Sequence, residues 1–327
     1  MKEIMGSVRL ADGAEAVIVR YIPPDDDGGR GLYAVSPEWN TYYKRAFFSG
    51  HDEFIADRVY YAEIDGFPAA RLWFAWSKRT FHGNFGNIYT NPGQRRRGLL
   101  NALLAVYREE FAASPAKMLC CSASGYRIPL YMRYGLATLH GDMEHDAMCA
   151  IKPEYGSFAE YARNAYRDTH AAKIRGGDPG DQFDCDKFFI LTGPMWQTPE
   201  WPFVMGPVQS FQAALNRELE ADAVTAVAEN AAGFVTGYAA AVADPPPSAG
   251  YVPPATAGWI NFHAFPDMPV DEAATLVSHA AKRFRVLKPK VVLRAAVRPN
   301  DARRRSVFAR AGFWVEAELG DMTLLRQ

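Results

Sequence analysis

Cysteine is scarce in this chain: four thiols, Cys120, Cys121, Cys149 and Cys185, in 327 residues. Two are adjacent in an apolar run and none forms a Cys-x-x-Cys pair, so neither a disulfide framework nor a zinc knuckle is encoded. Reduced, mostly buried thiols are the expectation, and no metal site. Long hydrophobic runs are missing as well, since no stretch reaches about 18 uninterrupted apolar residues. The first residues carry charge at Lys2, Glu3, Arg9 and Asp12, where an export leader would need an apolar core. A soluble, cytoplasmic protein with no membrane partner is expected. An excess of one charge sign is the third absence: 36 Lys and Arg stand against 37 Asp and Glu, a net charge of -1. General attraction to nucleic acid is thereby excluded, and the triplets Arg95–Arg97 and Arg303–Arg305 read as local features, the second as a solvent-facing helix surface.

What is present is core-forming sequence, 49% hydrophobic and 22% charged, long enough for two domains of ordinary size. The first part alternates strand and helix signals as an α/β unit does. Strands are expected over 14–20, 59–64, 69–76, 84–90, 117–122, 136–144 and 147–151, with helices over 37–48 and 99–111. Asp65-Gly66 between two apolar runs marks a hairpin. Periodicity weakens from 153 to 206, which reads as helix and linker. Beyond it come a helix at 211–220, a hairpin of 223–228 with 233–242, an exposed loop at Pro245–Ser248, a strand from 258, a helix at 273–284 and a strand at 290–297. The boundaries expected are therefore 1–152, 153–206 and 207–327.

The most informative run is Asn91-Pro92-Gly93-Gln94-Arg95-Arg96-Arg97-Gly98-Leu99-Leu100-Asn101. It joins a strand end to a helix whose Leu99, Leu100, Leu103, Leu104 and Tyr107 recur at helical spacing. Unpaired N–H groups and the positive end of the helix dipole coincide there with three guanidinium groups, which makes an anion site. The run resembles the acetyl-CoA loop of the GNAT acyltransferase superfamily: Arg or Gln, two free positions, Gly, one free position, then Gly or Ala. Leu100 departs from it, standing where that family has a small residue. A second stretch, Tyr126-Arg127-Ile128-Pro129-Leu130-Tyr131-Met132-Arg133-Tyr134-Gly135-Leu136, resembles the family's short helix after its fifth strand, with Leu136 in place of Phe.

Pro299 to Phe313 resembles the same short helix, with Phe308 at the place of Tyr131, an offset of 177 (308 minus 131). That offset also brings the two hairpins into rough correspondence. The resemblance therefore implies an α/β fold of two tandem GNAT-like mixed sheets. In the second copy the loop reads Phe265-Pro266-Asp267-Met268-Pro269-Val270-Asp271-Glu272, without Gly or Arg and with three carboxylates. Carboxylates satisfy the helix dipole internally and repel a pyrophosphate, and Asp271 suits an N-cap. Only the first domain is expected to bind CoA.

The resemblance further implies an acetyl-CoA-dependent N-acetyltransferase, in which a primary amine of a small molecule attacks the thioester directly. Ile88, Tyr89 and Thr90 would supply main-chain contacts to the pantetheine. Arg95, Arg96, Arg97, Gly98, Leu99, Leu100 and Asn101 would form the phosphate cradle, with Ser124 a further contact. Tyr131 stands where many members have a proton donor to the thiolate, its phenol titrating near 10, unless it is simply a packed helix residue. The general base is open. No carboxylate lies on the fourth strand, leaving His82, Glu63, or a water held by Asn84 and Asn87. Alternative readings are a decarboxylase or longer-chain acyltransferase, and a CoA-binding regulatory protein without turnover. Monomer and homodimer are both compatible with a tandem chain.

Overall fold

The computed structural model describes residues 2–21, 53–141, 145–185, 211–219, 221–243, 257–319 and 322–327. The helix expected at 37–48 and the loop Pro245–Ser248 lie outside them. The chain divides into two compact units between Tyr161 and Ala162.

The first unit is an eight-stranded sheet: β1 (Lys2–Arg9), β2 (Glu15–Tyr21), β3 (Ile55–Ile64), β4 (Phe67–Ser77), β5 (His82–Thr90), β6 (Met118–Ser124), β7 (Ala137–Gly141) and β8 (His145–Ile151), in the order β1-β2-β3-β4-β5-β6-β8-β7. Neighbours are antiparallel except β5 and β6, which run parallel and are joined by α1 (Leu99–Ala113). Alternation along the strands sends Tyr60, Leu72, Phe74, Trp76, Phe85, Leu119 and Cys121 to one face, where they pack with Leu99, Leu103, Leu104 and Tyr107 of α1 into one core. A short helix, α2 (Arg127–Met132), follows β6 and adds Ile128, Leu130 and Tyr131 to that core. The β3–β4 hairpin turns at Asp65 (φ 51°) and Gly66 (φ 78°), the left-handed pair that its Asp-Gly sequence announces.

The β5–β6 ladder has three rungs, His82 with Met118, Gly83 with Leu119 and Asn84 with Cys120. β5 continues to Thr90 and β6 to Ser124 without pairing further, so the sheet splits from Phe85 onward.

In the second unit a seven-stranded sheet has the order β14-β15-β13-β12-β11-β10-β9, made from β9 (Lys173–Gly176), β10 (Ala223–Glu229), β11 (Val235–Ala243), β12 (Ala257–Ala264), β13 (Val292–Val297), β14 (Trp314–Leu319) and β15 (Met322–Arg326). Between α3 (Phe158–Ala165), which precedes it, and the C-terminal strands lie α4 (Phe211–Glu218), α5 (Val270–Leu287) and α6 (Ala302–Arg310). β12 and β13 repeat the parallel pair with its crossover helix α5, again over three rungs, from Ala257 with Val292 to Trp259 with Arg294.

Three expectations change. β9 lies within 153–206, the segment read as helix and linker, yet it pairs with β10 from Ala226–Gly176 to Glu229–Lys173. Its Arg175 is bound by Asp181 at 2.7 Å and Glu229 at 2.6 Å, so ions rather than apolar periodicity hold the strand. The helix carrying Arg303–Arg305 is not a solvent-facing basic surface, because Arg304 is fully buried. Asp271 does not cap α5: Pro269 holds that position, and Asp271 in the first turn pairs with Arg310.

Candidate active site

The loop before α1 folds as its glycine dictates. Gly98 caps the helix at φ 95°, a left-handed conformation in which a Cβ is strained. No side chain caps this helix end. The N–H groups of its first turn and the positive end of a 15-residue dipole therefore face outward. Arg95 and Arg96 are exposed beside them, and Arg95 Nε donates to the Thr90 carbonyl at 3.3 Å.

From this loop a cleft of about 970 Å³ runs along β5 to the split in the sheet. Ile88, Tyr89, Thr90, Arg95, Arg96, Gly98, Leu99, Leu100 and Asn101 line it, together with Tyr131, Phe85 and Cys121. Leu100, which stands where the family has a small residue, is partly buried and packs against the core.

The register explains how β5 presents itself. Arg71 pairs with Tyr89 and Trp73 with Gly86, so Asn87 and Ile88 together oppose Leu72, which is a β-bulge. Asn87 takes φ 50° there, and Arg71 Nε donates to its carbonyl at 2.8 Å. The bulge takes main-chain groups out of the ladder where the cleft runs past.

Tyr131 sits edge-on to Phe85, ring centres 5.3 Å apart. Burial pushes its phenol above the usual tyrosine value, and the nearby Cys121 acts in the same direction. The group is a protonated donor at neutral pH.

Four expected site residues are elsewhere. Arg97 turns from the cleft to pair with Asp12 at 2.6 Å and to bond Gln94. Ser124 is absent from the lining, and Cys121 and Ser122 take its place because the split exposes β6 two residues earlier. Glu63 lies near the β3–β4 turn in an ion pair with Lys2 at 2.8 Å. His82 is fully buried, with Nε2 2.8 Å from the Tyr161 hydroxyl, so it is a packed structural histidine. The sequence reading also missed Tyr126 and Arg127 as lining residues, although both fall within the stretch that resembles the family's short helix.

In the second unit an arginine lies beside the corresponding split. Arg304 of α6 lies over the Phe262 ring at 4.4 Å, donates to Asn261 Oδ1 at 2.6 Å, and reaches the Phe262 carbonyl from both terminal nitrogens, at 3.1 and 2.9 Å. The side chain thus lies against β12 beyond its last rung with β13.

A mixed sheet splits after one parallel pair, β5 carries a bulge, Gly98 stands at the head of the helix behind an anion loop, and a short helix bears Tyr131. This arrangement is similar to the GNAT acyltransferase fold. No protein-family model matches the sequence, and no curated protein sequence does. Solved structures of GNAT acetyltransferases are similar in fold. The GNAT domain of PAT from S. lividans shares 18% identity over 33% of this chain and 61% of that chain, at a TM-score of 0.28. A putative acetyltransferase, yncA, from Salmonella typhimurium, solved with its cofactor acetyl-CoA, shares 16% over 47% of this chain and 92% of its own, TM-score 0.34. The ribosomal-protein-S5-alanine acetyltransferase of Vibrio fischeri shares 14% over 47% and 90%, TM-score 0.35. This chain thus spans less than two thirds of the first of these and carries two GNAT-like sheets in tandem.

Proposed function

We propose that this protein is an acyltransferase that moves the acetyl group of acetyl-CoA to a primary amine of a small molecule, with all chemistry in the first unit. The observation that carries the reading is the cleft itself: an uncapped helix end with Arg95 and Arg96 at one end, a bulged strand along its wall, and a buried, protonated Tyr131 where the sheet splits. The first end suits a pyrophosphate, and the groove suits a pantetheine arm that bonds to main chain. At the third a thioester carbonyl would meet a phenol able to protonate the departing sulfur. No metal is needed for this chemistry, since the thioester is already activated.

The reaction is direct. The amine nitrogen attacks the thioester carbonyl, the C–N bond forms and the C–S bond breaks, and the thiolate takes a proton. Orientation supplies much of the acceleration, because the groove fixes the acyl donor and the acceptor needs only one approach.

Titration calorimetry with acetyl-CoA tests the loop. Arg95→Glu with Arg96→Glu is expected to weaken binding at least tenfold, whereas Arg97→Glu, outside the cleft, is expected to change it far less. Equal affinity in wild type and the double variant would remove the basis of the proposal. Thiol release over a panel of amines then separates an enzyme from a regulatory CoA binder, which would bind and release nothing. Conversion of malonyl-CoA to acetyl-CoA without acceptor would favour the decarboxylase.

A further inference from the structure

The cleft does not stop at the face that packs on α1. Phe85, Cys121 and Tyr131 belong to that face, but Gly86 and Ser122, which also line the cleft, alternate to the other side of the sheet. The split is therefore a passage, and an acceptor can approach the thioester through it from the face opposite α1.

That opposite face is polar at one place. Asp57 pairs with Ala75 across β3 and β4, and Ala75 pairs with Asn84 across β4 and β5. The three form one rung pointing the same way, with the outer Cα atoms two strand spacings apart, about 9.5 Å. The central side chain is a methyl group, so no bulky side chain of the rung stands between carboxylate and carboxamide. Asn84 is the last paired residue of the β5–β6 ladder, adjacent to the split. Its Oδ1 is buried and has no hydrogen-bond partner among the described residues. A buried acceptor atom left unmatched costs stability unless something else donates to it.

Asp57 is held in place by Trp73, whose indole Nε1 donates to its Oδ1 at 2.8 Å. The same indole leaves the neighbouring position open: no heavy atom of the described residues lies within 4 Å of where a side chain on Gly86 would begin. On this face the charged and titratable neighbours from β3, β4 and β5 are Tyr61, Glu63, Arg71, His82 and Tyr89. Arg58, beside Asp57 in sequence, stacks over Trp76 on the other face. Burial pushes the Asp57 carboxyl up to about 6, against the lowering effect of the Trp73 hydrogen bond and the Arg58 charge.

We infer that the Asp57–Ala75–Asn84 rung is the acceptor-amine subsite, with Asn84 Oδ1 accepting an N–H of the amine, Asp57 taking its proton and Trp73 positioning that carboxylate. This rests on the acyltransferase reading. An ammonium arriving there gives one proton to Asp57, and its free lone pair then attacks the thioester carbonyl. The C–N bond forms and the C–S bond breaks. The second surplus proton leaves nitrogen for the departing sulfur by way of Tyr131, which is reprotonated, so one amide N–H remains on a primary-amine product. A carboxylate titrating near 6 suits this task at neutral pH, being ionised yet basic enough to accept. No carboxylate on β5 is needed, since the base reaches the amine from β3.

The test uses the full chain, acetyl-CoA, and a panel of n-butylamine, tyramine, glycinamide and kanamycin, with thiol release as readout and calorimetric acetyl-CoA affinity as control. With the acceptor that turns over, Asp57→Asn is expected to lower kcat/KM by about 10²- to 10⁴-fold while acetyl-CoA affinity stays within twofold. Its residual activity should lack the acid limb expected for wild type near pH 6. Asn84→Ala should raise the acceptor KM about tenfold with a smaller effect on kcat. Trp73→Phe, which removes the donor to Asp57, should move the acid limb to higher pH, a displacement that loss of packing alone does not produce. Asp57→Glu should restore part of the rate. Wild-type kcat/KM and an unmoved acid limb in Asp57→Asn would overturn the subsite and leave the acyltransferase standing. Acetyl-CoA binding without thiol release from any amine in wild type would overturn both.

Discussion

Arg304 is sealed from water, and its charge is tolerated because every direction it faces offers something: a ring below, an amide oxygen and a main-chain carbonyl ahead, and Asp301 3.7 Å from Nε. Burial still lowers it to about 10, and burial, helped by the Arg304 charge, drives His263 down to about 3. Truncation leaves these acceptors buried and unmatched beside a hole. Arg304→Ala is expected to destabilise the protein by about 3–5 kcal/mol, read from urea denaturation, while acetyl-CoA affinity of folded protein stays unchanged. Added methylguanidinium at low concentration should recover part of the loss, because the vacated site has the shape and acceptors of that ion. Nothing in the sequence of Arg303-Arg304-Arg305 distinguishes the buried member from its neighbours. The distinction comes from helix phase, which turns the middle residue toward Phe262 with Val307 and Phe308.

Elements whose local signals agree with one another were readable before any coordinate. The Asp65-Gly66 hairpin and the leucine stripe of α1 fall where spacing puts them, and the short helix that carries Tyr131 falls where the family resemblance implies it. β1 was not, because Lys2–Arg9 is largely exposed and carries no alternation of apolar residues. β9 was not either, since its Gly176 and the following Gly177 mark close approach to Arg283, Thr225 and Phe211 and only look like turn glycines. At the site the loop was legible and the base was not: a loop is contiguous in sequence, whereas Asp57 and Asn84 meet only through strand register. The loop itself can be probed by backbone freedom alone. Gly98→Ala places a Cβ at φ 95° at a cost of about 1–2 kcal/mol and should weaken acetyl-CoA binding at least tenfold. Gly93→Ala, with open space around it and no positive φ, should not. At the start of α5, the exposed His170 has its pKa raised above the usual 6.5 by its hydrogen bond to Glu272 at 2.8 Å and that carboxylate's charge. A raised folded value means the pair contributes fully below pH 6.5 and fades as pH rises through the folded pKa. Titration of the His170 ring by NMR checks this, and Glu272→Gln should return it toward 6.5.

At the scale of the whole molecule, two sheets of the same design differ in what lies at the split. In the tandem reading one chain binds one acetyl-CoA, so calorimetry should return a stoichiometry of one, and a value of two would overturn the expectation that only the first unit binds CoA. Sequence offset alone suggested the duplication, and the two three-rung parallel ladders make it concrete.

Those ladders also set how each unit responds to its surroundings. A sheet that opens after three rungs has bare strand edges to satisfy; a tethered side chain, Arg304, lies beside one opening, and in the proposed function a molecule that comes and goes fills the other. The tethered group is always at hand, so β12 and β13 are expected to hold the same rigidity whatever the metabolic state. The visiting occupant obeys mass action: at a hundredfold excess over its dissociation constant acetyl-CoA would add about 2.7 kcal/mol to the first unit. Amide exchange along β5 and β6 should therefore slow with acyl-CoA supply while β12 and β13 keep a constant rate, giving one polypeptide a region that registers the donor pool and an internal reference that does not.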